Sequence, residues 1–160
     1  MATVAGPWEL PPSIALELSA LVGQSCTLQR IGTDRSLSIG FGRIDASGVA
    51  PHGEWEIGTY DCSWRVVRKG RVLCGCEDAV DSVDDLRERF MQVGIGEFLS
   101  LEHLSEYDLR VNFSSGTSID ILCTISDDDE VMHVFFPGKL VAAFSVKNGW
   151  MIGPSDKPWS

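Results

Sequence analysis

The chain has 160 residues, 44 % hydrophobic and 22 % charged, the make-up of one ordinary globular domain rather than a disordered tail. No apolar run approaches the roughly 20 residues of a membrane-spanning helix, and residues 1–12 lack the basic start and apolar stretch of a secretion signal, so cytoplasmic residence is the expectation. A net charge of −10 repels phosphate backbones, which argues against nucleic acid and favours a basic partner.

The acidity is uneven. Residues 1–80 hold 7 Lys/Arg and 9 Asp/Glu, whereas residues 81–160 hold 6 and 14. In chain order, Pro11-Pro12 open the first predicted helix, with Ser13 placed to cap it, Ile14, Leu18, Leu21 and Val22 as its apolar stripe, and Gly23 to close it. The period then changes from helical to alternating, which predicts strands near 26–31, 36–44, 54–60, 63–68 and 71–76. An acidic link follows, containing Glu77, Asp78, Asp81, Asp84 and Asp85. Ser82 starts a second helix whose stripe is Val83, Leu86, Phe90 and Val93, with Asp84 and Asp85 favouring its N-terminal dipole and Gly94 ending it. Alternation resumes at 98–104, 108–114, 117–125, 131–136 and 139–146, and residues 153–160 read as a flexible tail.

The two runs are copies of one pattern. With one residue deleted, residues 22–41 align with 95–113, so that Gly23 meets Gly96, Leu28 meets Leu101, and Leu37, Ile39 and Phe41 meet Leu109, Val111 and Phe113. The fold class expected from this is α+β, in a single compact domain of residues 1–160. It would hold two pseudo-symmetric repeats, 12–76 and 82–152, each a short helix followed by a mainly antiparallel β-meander, packed as one sandwich or continuous sheet. The copies differ at residues 45–53, where the first carries an insertion with Gly, Pro and His52 that reads as a loop.

Motifs for catalysis are missing. There is no GxSxG elbow, and Gly40-Phe-Gly42 and Gly94-Ile-Gly96 lack the third glycine and the lysine of a phosphate cradle. Five cysteines, Cys26, Cys62, Cys74, Cys76 and Cys123, are an odd number suited to reduced thiols, and Cys74-Gly-Cys76 has no second pair at zinc spacing. Neither a metal nor a cofactor is expected. An enzyme would need a converging set such as His52, Asp34 and Cys62 to meet in space. The run Asp127-Asp-Asp-Glu130 lacks the glycine and distal glutamate of a calcium loop and reads as an acidic tip available to a basic surface. Arg65, Arg68, Lys69 and Arg71 form the one basic cluster and protect a strand edge, His103 and His133 read as packed strand residues, and Trp55 and Trp64 as core. Trp8 and Trp159, near the ends, read as docking anchors.

The combination CSWRVVRKGRVLCG, an acidic stretch, a short helix and then DLRVNFSSGTSIDIL resembles small α+β bacterial proteins of the toxin-immunity type, over most of residues 54–150. The resemblance implies neutralisation of a cognate toxin by covering its active site, without catalysis, and transfers no site residues. The function expected is therefore a non-catalytic, immunity-type inhibitor of a basic protein toxin. Its expected contact surface comprises Asp127, Asp128, Asp129, Glu130, Glu77, Asp78, Asp81, Asp84 and Asp85, with His52 and Trp159. The alternatives are a small-molecule or peptide-binding module with a cavity between the repeats and the 45–53 insertion, and a homodimer formed through a free sheet edge.

Overall fold

Leu37, Ile39 and Phe41 alternate with Ser38 and Gly40, so a strand buries the first three on one face. All three are buried in the computed structural model, which describes residues 9–48, 50–60 and 63–155. The elements run α1 (Pro12–Ser19), β1 (Cys26–Ile31), β2 (Leu37–Asp45), β3 (His52–Thr59), β4 (Ser63–Arg68), β5 (Arg71–Gly75), α2 (Val83–Met91), β6 (Phe98–His103) and β7 (Leu109–Phe113). They continue with β8 (Thr117–Leu122), β9 (Glu130–Phe136), β10 (Leu140–Ser145) and β11 (Gly149–Pro154).

Among the described residues these strands form two antiparallel sheets. One has six strands in the order β1-β2-β3-β9-β10-β11, the other five in the order β5-β4-β8-β7-β6. This overturns the expected α+β architecture. The described residues are mainly β, 50 % strand and 12 % helix, and neither half is a helix carrying its own meander. The chain leaves the six-stranded sheet after β3, which pairs with β9, and β4 pairs with β8 in the other sheet. Residues 123–129 make the reverse crossing. Alternation marks a strand but does not say which strand lies beside it, so a crossover between sheets reads like a hairpin joint. The first three strands after each helix stay together, and strands from the other half complete each sheet.

The inner faces meet in one aromatic-rich core. Phe41 of β2 packs edge-on to Phe98 (centroids 6.0 Å apart) and stacks on Phe113 (6.2 Å), and both of those belong to the five-stranded sheet. Trp64 lies against Phe90 of α2 at 6.0 Å. Burying each such ring stabilises the fold by about 2–3 kcal/mol. Backbone bonds also stitch the sheets where the chain enters β1 and β6: Gly23 N–H donates to Phe98 O (2.9 Å), Phe98 N–H to Gln24 O (3.0 Å) and Cys26 N–H to Gly96 O (2.8 Å).

Several local expectations shift. Pro11 is the N-cap of α1 and Pro12 its first residue, a position where the missing N–H costs nothing, so Ser13 lies inside the helix and caps nothing. Ile14, Leu18 and Leu21 are buried, but Val22 is exposed. Ser82 does precede α2, without a side-chain cap bond. The segment 45–53 is less a loop than a longer hairpin, because β2 and β3 extend into it and pair Asp45 with His52. Residues 153 and 154, expected to open a tail, belong instead to β11, which Gly149, Gly153 and Pro154 disguised as turn; residues 156–160 lie outside the described residues.

Helix α2 packs against β1 and β5 with Leu86 and Phe90 buried. Gln29 Nε2 donates to Phe90 O (2.9 Å) and Val93 O (3.2 Å), satisfying carbonyls at the helix end. Arg87 Nε donates to Ile31 O (2.8 Å). The helix therefore runs antiparallel to β1, with its N-terminus at the Ile31 end.

Candidate functional site

The registers place four chain segments at that same end of the six-stranded sheet. Ile31 pairs with Leu37, Ser38 with Gly58, Thr59 with Met132, and Ser145 with both Glu130 and Gly149. The β1–β2 turn with Asp34, the exit of β3 with Tyr60, the acidic run Asp127 to Glu130 and the β10–β11 turn are therefore neighbours. Arg35 brings in the acidic link, because its Nη1 donates to Cys76 O (2.7 Å) and Asp78 O (2.9 Å). Asp81, Asp84 and Asp85 precede or open α2, whose N-terminus lies at this end. Two acidic stretches about fifty residues apart in sequence thus share one end of the protein, β1 and β9 being three strand spacings, about 14 Å, apart.

Few cations offset them. Lys147 Nζ pairs with Asp128 at 3.0 Å, Arg89 with Asp78 at 2.8 Å and Arg87 with Asp84 at 2.7 Å. The Asp34 carboxyl is held below the ordinary carboxylate range by the hydroxyl and N–H of Ser36. Asp127 Oδ1 accepts the Asp129 N–H at 3.0 Å and shapes the tip.

Beside this tip the outer face of the sheet forms a recess of about 340 Å³, lined by Tyr60, Asp128, Asp129, Glu130, Ser145 and Met151 among others. His133 lies next to it, its ring 5.0 Å from those of Tyr60 and Phe135. The ring fits because residue 58 is glycine: a Cβ there would stand 2.5 Å from His133 Nε2. His133 Nδ1 is buried without a hydrogen bond, and the Glu130 carboxylate, at 3.6 Å, is beyond bonding range. Burial, and then the charge of Glu130, raise the Tyr60 hydroxyl pKa above its ordinary value.

A larger groove, of about 1000 Å³, opens on the same sheet at the opposite end, between the β2–β3 hairpin and the β9–β10 turn. Both recesses lie on the outside of one sheet, where the sequence alternative had placed a cavity between the halves.

His52 lies at this second end, 3.8 Å from Asp45, and so is separated from the acidic residues with which it was grouped. It is equally separated from Asp34, so those two side chains do not meet. Trp159, Trp8 and Cys62 lie outside the described residues. Cys74 is buried and Cys76 partly so; burial pushes the thiols of Cys74 and Cys26 up to about 11, which keeps them protonated. Among the described residues no three His, Cys, Asp or Glu side chains stand close enough to hold a metal ion. No helix among them is long and apolar enough to cross a membrane. His103 donates through Nδ1 to Ser105 O (3.1 Å) and accepts the Trp150 indole N–H on Nε2 (3.0 Å), which ties β6 to β11.

Tyr60, Arg30, Glu56 and Phe135 were not picked out by the sequence, and His133 was read only as a packed strand residue. The alternation of Glu54, Trp55, Glu56 and Ile57 does put Glu56 on the face opposite Ile57, but nothing local shows that β9 lies alongside. No family model, curated protein or solved structure matches this chain.

Proposed function

We propose that this chain is a non-catalytic binding protein that presents its acidic end to a basic protein. In this reading it acts as an immunity-type inhibitor that covers the cationic active site of a cytoplasmic toxin. The observation that carries the reading is the gathering of Asp127 to Glu130, Asp34 and the 77–85 segment at one end of the six-stranded sheet. Such a one-signed field raises the encounter rate with a cationic surface and weakens as salt screens it. The exposed rings and side chains of Tyr60 and Met151 beside the carboxylates give the contact an apolar centre.

The test is to isolate the basic protein that copurifies with the chain and follow association as ionic strength rises. The rate should fall steeply with salt. Asp127/Asp128/Asp129→Asn should slow association about tenfold and change dissociation much less. A rate indifferent to both salt and the triple substitution would contradict the proposal.

A further inference from the structure

We propose that the groove at the far end of the six-stranded sheet takes an extended segment of the partner as an added strand, with a basic side chain of that segment seated on Glu56. From the function proposed above it takes only the partner's basic character; the groove itself rests on separate observations.

The first is an unpaired strand edge. β3 spans His52–Thr59, but its last partner on β9 is the pair Glu56–Phe135, after which β9 ends at Phe136 and turns through Pro137 to Lys139. His52 and Gly53 therefore pair with β2 on one side, Glu54 sits opposite the bulge, and among the described residues no strand and no turn or loop backbone bond reaches their other side. Their outward N–H and C=O groups form a short template along the groove wall.

The second is that the arm is held in place. Phe41 pairs with Trp55 and Ile44 with Gly53, so β2 holds one extra residue, and Gly42 takes φ +75° to accommodate it. The N–H of Arg43, freed by the bulge, donates to Glu54 Oε1 at 2.8 Å. A template fixed in this way loses less entropy on binding than a loose loop does.

The third is a carboxylate with spare capacity in the groove lining. Glu56 is only 9 % exposed. Its Oε1 accepts both from Arg30 Nη2 and from the Ser38 hydroxyl, the latter at 2.7 Å, while Oε2 has no partner among the described residues. That second oxygen is not among the fully buried polar atoms, so it opens onto the groove, where it can accept a charge-assisted bond from a cation. The charges of the lining balance overall, with Asp45, Glu54 and Glu56 against Arg30, Arg43 and Lys139. Selection for a basic side chain thus falls to Glu56 rather than to a general field, and Phe135 beside it supplies an apolar contact for the aliphatic stem.

The probe is the peptide Ac-Thr-Val-Lys-Val-Thr-NH2, titrated into the isotope-labelled full chain beside the same peptide with norleucine in place of lysine. The lysine peptide should shift the backbone signals of residues 52–56, slow amide exchange at alternate positions there, and bind about tenfold more tightly than the norleucine peptide. Glu56→Gln keeps the side-chain volume and an oxygen for Arg30 and Ser38, and should bring the two peptides to equal affinity. Equal affinity on the unaltered chain, unperturbed 52–56 signals, or a preference that survives Glu56→Gln would overturn the proposal. Asp127/Asp128/Asp129→Asn should leave peptide binding unchanged. Silence from the peptide with intact salt-dependent association of the whole partner would sink the groove alone, and peptide binding without salt dependence would sink the acidic-end reading alone.

Discussion

The two sheets treat their outer faces in opposite ways. Across the five-stranded sheet, Arg65, Asp120, Arg110 and Glu102 stand in register on β4, β8, β7 and β6, a ladder of alternating charge. Asp120 is fully buried beneath two guanidiniums, which bond it through Arg65 Nε (2.8 Å), Arg110 Nε (2.6 Å) and Arg110 Nη2 (3.1 Å). Ser118, Asn112 and Ser100 form a second hydrogen-bonded row beside it. That face is chemically closed. The six-stranded sheet instead carries glycines, an aromatic row, a buried histidine nitrogen without a bond, a carboxylate oxygen without a donor, and acidic residues gathered at its end. Saturated valence stabilises a surface against solvent, whereas open valence on a fixed frame is what a partner can use.

If the closed face is structural, Asp120→Asn should give the largest loss among the following changes, about 2 kcal/mol by urea denaturation, because a buried acceptor of three charged bonds is weakened. Burial pushes the Asp120 carboxyl up, but the bonds from Arg110 and Arg65 outweigh it and leave its pKa below the ordinary 3.8. Its stabilisation is accordingly complete above that value and is lost as pH falls through the lowered one, so the gap between wild type and variant should close in acid. A variant as stable as wild type at neutral pH would dissolve the contrast between the faces.

On the other face, Gly58→Ala would drive a methyl group into the His133 ring and should cost about 1–2 kcal/mol, read from the same denaturation curves. Between the faces, burial lowers the His103 pKa below 6.5 against the opposing effect of the Ser105 carbonyl. A group depressed on folding stabilises fully above its unfolded value. His103→Gln should therefore lose about 1 kcal/mol at neutral pH, with the difference shrinking as pH falls below 6.5. The smallest effect belongs to the acidic tip: Asp127/Asp128/Asp129→Asn should change unfolding stability by less than about 0.5 kcal/mol, since these charges face water. A large loss there would make the tip structural.

How much of this was legible depends on the range of the interaction. Lys69-Gly70 between alternating runs marks the β4–β5 hairpin, and the stripe of Leu86 and Phe90 marks α2, because turn chemistry and helical period act within a few residues. The matching of Leu37, Ile39 and Phe41 with Leu109, Val111 and Phe113 identified residues that do line one core. Pairing of β3 with β9 was not legible, since it depends on where the chain goes after β3 and after β8. That one pairing creates the row of Gly58, His133 and Ala143 and sets Glu56 beside Phe135. The acidic residues could be identified as a class. Their meeting at one end could not, because it rests on Arg35 reaching Cys76 and Asp78 and on Arg87 reaching Ile31.

Amide hydrogen exchange of the full chain, with and without its copurified basic protein, tests the acidic-end reading most directly. Protection should appear at residues 34–36, 58–60, 77–85, 128–135 and 145–151, and at 52–56 where the groove is filled, with the outer face around Arg65, Arg110 and Asp120 unchanged. Protection centred on that five-stranded face, with the acidic end exchanging as freely as before, would contradict it.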